Sequence, residues 1–81
     1  MRVAIIDDHR LCSEGLRAWL SANVPEVLVV HVGTDPQAAL ALVDSFDVVL
    51  LDLELGATAP PAALSVELFI GAGVQVILLT G

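Results

Sequence analysis

Lysine and tyrosine are absent from these 81 residues, and Arg2, Arg10 and Arg17 are the only cations besides any protonated histidine. A nucleic-acid module needs a basic face, so this segment is not expected to bind DNA or RNA directly. Only one cysteine is present, which rules out an internal disulfide and with it the small secreted disulfide scaffold. Charged residues are scarce at 16% while apolar residues reach 57%, the reverse of a disordered composition. Long apolar runs are lacking too: the stretch from Leu68 to Leu79 is interrupted by Gly71, Gly73 and Gln75, so nothing approaches the roughly 18 residues of a membrane span. Too few residues precede Asp7 for a signal peptide, and a soluble cytoplasmic protein with no membrane partner is expected. What remains is acid: ten carboxylates leave a formal charge of -7, and the partner they call for is a cation. The length allows one domain, with a smaller share of its surface buried than in a domain of about 150 residues.

Four short runs rich in Val, Ile and Leu stand out: residues 2–6, 27–32, 48–51 and 74–79. They lack clean apolar/polar alternation, as strands buried on both faces do. Between the first two, Cys12, Leu16, Trp19 and Leu20 fall on one helical stripe opposite Arg10, Ser13, Glu14, Arg17 and Ser21. Cys12 and Trp19 read as core residues on that stripe. A second helix is capped by Thr34 or Asp35, takes Pro36 in its first turn, carries Ala39, Leu42, Val43 and Phe46 inward, and runs to about Ser45. A third starts near Pro60 and Pro61, continues through Leu64, Leu68 and Phe69, and ends at Gly71 or Gly73. The order β-α-β-α-β-α-β with right-handed crossovers predicts an open, doubly wound α/β sheet.

In such a sheet functional groups collect beyond the carboxyl ends of the strands. Asp7 and Asp8 follow the first strand and Asp52 ends the third. With the flavodoxin-like strand order 2-1-3-4, three carboxylates converge from positions 45 residues apart, and Thr80 lies on the same rim after the fourth strand. Each has a plainer use: Asp8 as a helix cap, Asp7 and Asp52 as solvated strand ends. Together, three ionised carboxylates repel, so either a pKa rises or a cation joins them, and a hard divalent ion suits an all-oxygen site. Mg2+, held by one or two carboxylates plus water, phosphate oxygens and a backbone carbonyl such as that of Glu54, fits the set. A carboxylate of Asp52 is then also placed to attack a phosphoryl group, with the Thr80 hydroxyl as a hydrogen-bond donor. His9 follows closely enough to sense the acids, with a surface or capping role as its plainer use. His31 has no evident partner, and two separated histidines without cysteine do not make a zinc site.

The segments Val3-Ala4-Ile5-Ile6-Asp7-Asp8-His9-Arg10, Asp47-Val48-Val49-Leu50-Leu51-Asp52-Leu53 and Val76-Ile77-Leu78-Leu79-Thr80-Gly81 resemble the receiver domain of two-component response regulators. The Asp-Asp-His start, with Leu11, Glu14-Gly15-Leu16 and Leu20, is similar to the subfamily that carries a LuxR-type DNA-binding output. The resemblance implies Asp52 as phosphoryl acceptor, Asp7 and Asp8 as magnesium acids, the Glu54 carbonyl as a further ligand and Thr80 as the switch hydroxyl. It implies a sensor histidine kinase as phosphoryl donor, control of an output domain, and a signalling switch rather than a turnover enzyme. Residues 1–81 correspond to the amino-terminal portion of a receiver, without its fourth helix, fifth strand, fifth helix and output. The lysine and the aromatic switch residue of the family's fifth strand have no counterpart here, and residues 55–60 lack the Met-Pro-x-x-x-Gly texture common in relatives.

Such a four-strand chain is expected to expose apolar surface beside the first helix and along the fourth strand, and to self-associate. The competing expectation is a degenerate or truncated receiver that acts as a phosphorylation-independent binding or dimerisation module. A magnesium-dependent phosphohydrolase is a third reading, weakened because its usual Asp-x-Asp pattern is not seen.

Overall fold

A computed structural model describes residues 1–53 and 62–79. Its elements in chain order are β1 (Arg2–Ile6), α1 (Arg10–Asn23), β2 (Leu28–Gly33), α2 (Pro36–Leu40), a 3₁₀ turn (Val43–Ser45), β3 (Val48–Asp52), α3 (Ala62–Gly71) and β4 (Gln75–Leu79). All strand pairs are parallel and the sheet order is β2-β1-β3-β4. This is the doubly wound, flavodoxin-like arrangement with three helices that the alternating pattern predicts.

The sheet separates two apolar layers. Val3, Ile5, Val29 and Val48 are buried on one face, packed against Leu16 and Leu20 of α1. Ala4, Ile6, Val49 and Leu51 point to the other, where they meet Ala39, Phe46, Phe69 and Val74. The rings of Phe46 and Phe69 lie 6.3 Å apart and tilted by 55°, a favourable aromatic geometry. β1 and β3 are thus covered on both faces, as their unbroken apolar runs require. β2 and β4 are edges, so the expectation of two-sided burial fails there: Leu28 and Val30 on β2, and Ile77 and Leu78 on β4, are exposed.

On α1 the buried residue is Ser13, at 2% exposure, with Leu16 and Leu20 half-buried behind it. Cys12 and Trp19, expected in the core, are exposed, Trp19 at 58%. Two stripes share Leu16 and Leu20, and the helix settles on the one that contains Ser13. The serine can be buried because its Oγ donates to the His9 carbonyl one turn back at 3.3 Å, so no polar group is stranded.

Asp35 caps α2, its carboxylate accepting from the Gln37 N–H at 2.9 Å. The helix is shorter than its sequence pattern suggests. At Leu42 the backbone tightens to i→i−3 bonds, Leu42 N–H to Ala39 O and Ser45 N–H to Leu42 O. The Ser45 hydroxyl also donates to Leu42 O at 2.6 Å, a local bond that competes with continued α-helix. Leu42 is left exposed, while Phe46 still reaches the core. At the far end of α3, Gly73 adopts φ +85°, the left-handed conformation that glycine enters without strain. Between β1 and β2 the register skips Val30, turning His31 to the same sheet face as Ala4. Its Nε2 is buried without a hydrogen-bond partner among the described residues. A Cβ on Gly33 would come within 2.8 Å of that nitrogen, so the ring lies where only glycine leaves room.

At the amino edge of the central pair, Arg2 and Asp47 exchange backbone and side-chain bonds: Arg2 N–H to Asp47 Oδ2 at 2.9 Å, Asp47 N–H to Arg2 O at 2.8 Å, and a guanidinium contact to Oδ1 at 3.2 Å. These bonds hold the Asp47 carboxyl below the usual range, first through the Arg2 side chain and then its N–H.

Phe69→Ala should cost about 3–5 kcal/mol by leaving a cavity under α3, whereas Leu68→Ala, on the half-exposed side, should cost much less; urea unfolding of the two variants checks the order. The Asp47 contribution has the sign of a depressed carboxyl. It is fully present above the ordinary aspartate range and is lost as pH falls through the lowered value. Denaturation midpoints of the wild type and Asp47→Asn should therefore differ slightly at neutral pH and converge in acid.

Candidate functional site

The register of the two central strands assembles the site. Ile5 lies opposite Leu50 and Ile6 opposite Leu51, so the next positions bring Asp7 and Asp52 to the same rim. Because side chains alternate, both continue the α1 face of their strands, after Ile5 and Leu50. Asp52 is buried at 7% exposure, Asp7 is half-buried and Asp8 is exposed. The three acids are brought together as expected. Glu54 and Thr80, the other two residues expected at the site, lie outside the described residues.

His9 joins them, the one member that sequence reasoning left as a surface or capping residue. It stands at the N-cap of α1 but makes no side-chain cap bond. Instead its Nδ1 lies 2.8 Å from Asp8 Oδ1, 3.2 Å from Asp7 Oδ1 and 4.0 Å from Asp52 Oδ2. The His9 N–H donates to Asp7 Oδ1 at 2.9 Å. Asp8 is not the helix cap, so its plainer reading is not the one the fold uses. The available signal was adjacency: a histidine directly after two aspartates on a tight strand-to-helix turn lies within reach of their carboxylates.

The electrostatics follow from these contacts. Burial pushes the Asp7 carboxyl up, but it is outweighed by the His9 N–H, the hydrogen bond shared with Asp52 and the His9 ring, and the net result is a lowered value. His9 is shifted upward, first by its hydrogen bond to Asp7 and then by the charge of Asp8, against the opposing effect of desolvation. One ligand atom from each of Asp7, Asp8, His9 and Asp52 can be chosen so that all lie within 4.8 Å of one another. Three such oxygens suit a hard dication that prefers carboxylate and water, so the donor set fits Mg2+. Beside the acids, towards β2, opens a depression of about 240 Å³ lined by Asp7, Arg10, Ser13, Glu14, Val32, Gly33 and Thr34. It shares only Asp7 with the cluster, which therefore sits on the rim rather than inside a cavity. No helix among the described residues is long and apolar enough to cross a membrane.

No protein-family model matches the chain. Over 57 residues, 68% of its length, it is 39% identical to the transcriptional regulatory protein DegU of Brevibacillus brevis, covering 24% of that protein. The signal receiver domain of the putative response regulator NarL from Mycobacterium tuberculosis superposes with a TM-score of 0.75 at 33% identity, across 98% of this chain and 64% of the other. The receiver domain of a modulated diguanylate cyclase from Desulfovibrio desulfuricans G20 gives a TM-score of 0.82 at 24% identity, over 99% of this chain and 64% of that one, and shows the fold alone. The chain thus spans about a quarter of the curated relative and under two thirds of each solved receiver. A shared fold, strand for strand, and one-third identity to a response-regulator receiver along nearly all of its length make this chain a member of the response-regulator receiver family.

Proposed function

We propose that the chain is the phosphoryl-accepting part of a two-component switch, with Asp52 as acceptor and a sensor histidine kinase as donor. The observation that carries the reading is the meeting of Asp7, Asp8 and Asp52 at one rim of a receiver fold. Asp52 is the best nucleophile of the three. It is the most buried of the three, hence the least hydrated, whereas Asp8 is exposed and Asp7 half-buried. One Asp52 carboxylate oxygen attacks phosphorus as the bond to the donor's imidazole nitrogen breaks, leaving an acyl phosphate and a free imidazole. Asp7, Asp8, Asp52 and the Glu54 carbonyl would hold Mg2+, and Thr80 would donate to the transferred group. When bound, the ion supplies positive charge to the transferring phosphoryl oxygens. The role is that of a switch and not a turnover enzyme. It governs a DNA-binding output in the cytoplasm, while a segment of charge -7 makes no nucleic-acid contact of its own.

We further read the exposed apolar residues of β4 and, separately, those of α1 as self-association surfaces. β4 pairs only with β3 among the described strands, Ile77 and Leu78 are exposed on it, and Leu11 and Trp19 are exposed on α1 at 88% and 58%.

Two measurements test these readings. Incubated with acetyl phosphate and Mg2+, the chain should gain a single phosphoryl adduct by mass spectrometry. The adduct should be absent from Asp52→Asn, with Mg2+ affinity reduced at least about 10-fold in Asp7→Asn. A folded chain that gains no adduct would instead support the phosphorylation-independent module. In sedimentation the chain should grow in mass with concentration, with Trp19 emission shifting to the blue as it does; a compact monomer with water-like emission throughout the micromolar range contradicts self-association.

A further inference from the structure

The two edges of the sheet are not alike. β2 carries the skipped residue Val30, and an irregularity of this kind twists an edge away from further pairing. β4 has no such guard. Its residues, Gln75-Val76-Ile77-Leu78-Leu79, include no charge and no proline, and they run in unbroken register against β3. Ile77 and Leu78 are nevertheless 53% and 45% exposed.

The direction of the backbone groups follows from the ladder. Gln75 N–H donates to Asp47 O, and Leu79 O accepts from Leu53 N–H, so residues 75, 77 and 79 turn their backbone groups towards β3. Val76 and Leu78 turn theirs outward, a donor and an acceptor each. With a second β4 laid antiparallel about a two-fold axis at Ile77, Val76 faces Leu78 of the second copy and Leu78 faces its Val76. Every outward donor and acceptor on both strands is then satisfied. Ile77 meets its own counterpart in the non-hydrogen-bonded position between these pairs, where side chains come closest. An axis at Val76 would instead set Leu78 against Val74, which is buried and already gives its N–H to Phe69 O.

Charge favours the same occupant. Two chains of charge -7 repel wherever acids face each other, yet of ten acids and three arginines only Glu67 falls within residues 62–79. The end of the molecule formed by α3 and β4 is therefore where two copies approach with least repulsion. α3 packs next to β4 and adds the exposed Leu64, Leu68 and Ile70 to this uncharged surface.

We propose that two copies of this chain pair through β4, antiparallel about a two-fold axis at Ile77, into one continuous sheet. The proposal rests on the self-association reading above and assigns it to this edge rather than to α1. A single pair of short strands falls below the roughly 800 Å2 per partner of a standard stable interface, so the dimer is weak and forms as concentration rises.

Sedimentation of the 81-residue chain at rising concentration tests the pairing. Ile77→Lys sets like charges opposite each other and should abolish the increase in mass, whereas Trp19→Lys should leave it. Ile77 is half-exposed, so circular dichroism of its variants should match the wild type. An equimolar mixture of Ile77→Lys and Ile77→Glu should associate again, which a misfolded variant would not do. On a Cys12→Ser background, Ile77→Cys should oxidise to a covalent dimer, because its Cα lies about 4.5 Å from its counterpart. Gln75→Cys, about 13 Å from its own counterpart along the strands, should not. A wild type whose association is lost in Trp19→Lys but kept in Ile77→Lys overturns the β4 pairing and leaves self-association standing on α1. Equal crosslinking of Ile77→Cys and Gln75→Cys overturns the two-fold register. A wild type that stays monomeric overturns both readings and leaves only a strand of another protein as occupant of the edge.

Discussion

Everything at the rim depends on the parallel pairing of β1 with β3. Four consecutive residue pairs, Val3 with Val48 through Ile6 with Leu51, carry side chains alternately into two apolar layers. A slip of one residue would turn every one of those side chains to the wrong layer. The pairing is also braced at its amino end. There Arg2 and Asp47 attract across the strands, while at the carboxyl edge the register sets the Asp7 and Asp52 carboxyls side by side. The apolar pairs between them hold both acids at one rim, which a surface loop would not do.

Arg2 is spent at the opposite edge, and Arg10 faces the neighbouring depression. Among the acids themselves stands the His9 ring, its Nδ1 within 3.2 Å of carboxylate oxygens of both Asp7 and Asp8. The same contacts depress the Asp7 carboxyl although its burial acts in the other direction. Hydrogen bonds and opposite charge within about 3 Å outweigh partial desolvation because the group still borders water.

The sequence made the strand order and the meeting of the acids readable, because both follow from patterns that extend over whole elements. Unbroken apolar runs mark β1 and β3, and a carboxylate directly after each strand can go nowhere but the rim. What escaped reading was decided atom by atom. Cys12 and Trp19 are more apolar than Ser13, but Ser13 closes its own hydrogen bond one turn back and fits beneath the helix, so hydropathy misjudged which stripe turns inward. The pattern through Ala39, Leu42, Val43 and Phe46 matched one continuous helix. The break at Leu42 turns on the Ser45 hydroxyl and on tighter backbone bonds that no apolar period records. The skipped residue Val30 is likewise invisible, since Val27–Val32 reads as a strand in either register.

His9 shows why the site was only partly legible. A histidine beside acids in sequence is common, and its ring direction depends on whether the backbone lets it turn back. Here the turn is closed by the Asp7 carboxylate accepting from the His9 N–H, and the first helical turn is anchored on the His9 carbonyl by Ser13. Ser13, misjudged as solvent-facing, and His9, judged peripheral, are therefore two views of one feature. The serine is buried because it fastens the start of α1, and the start of α1 is fastened where it holds the backbone of residue 9 beside the acids. The helix orientation that exposes Trp19 and the ring that shares the acid cluster have the same structural origin.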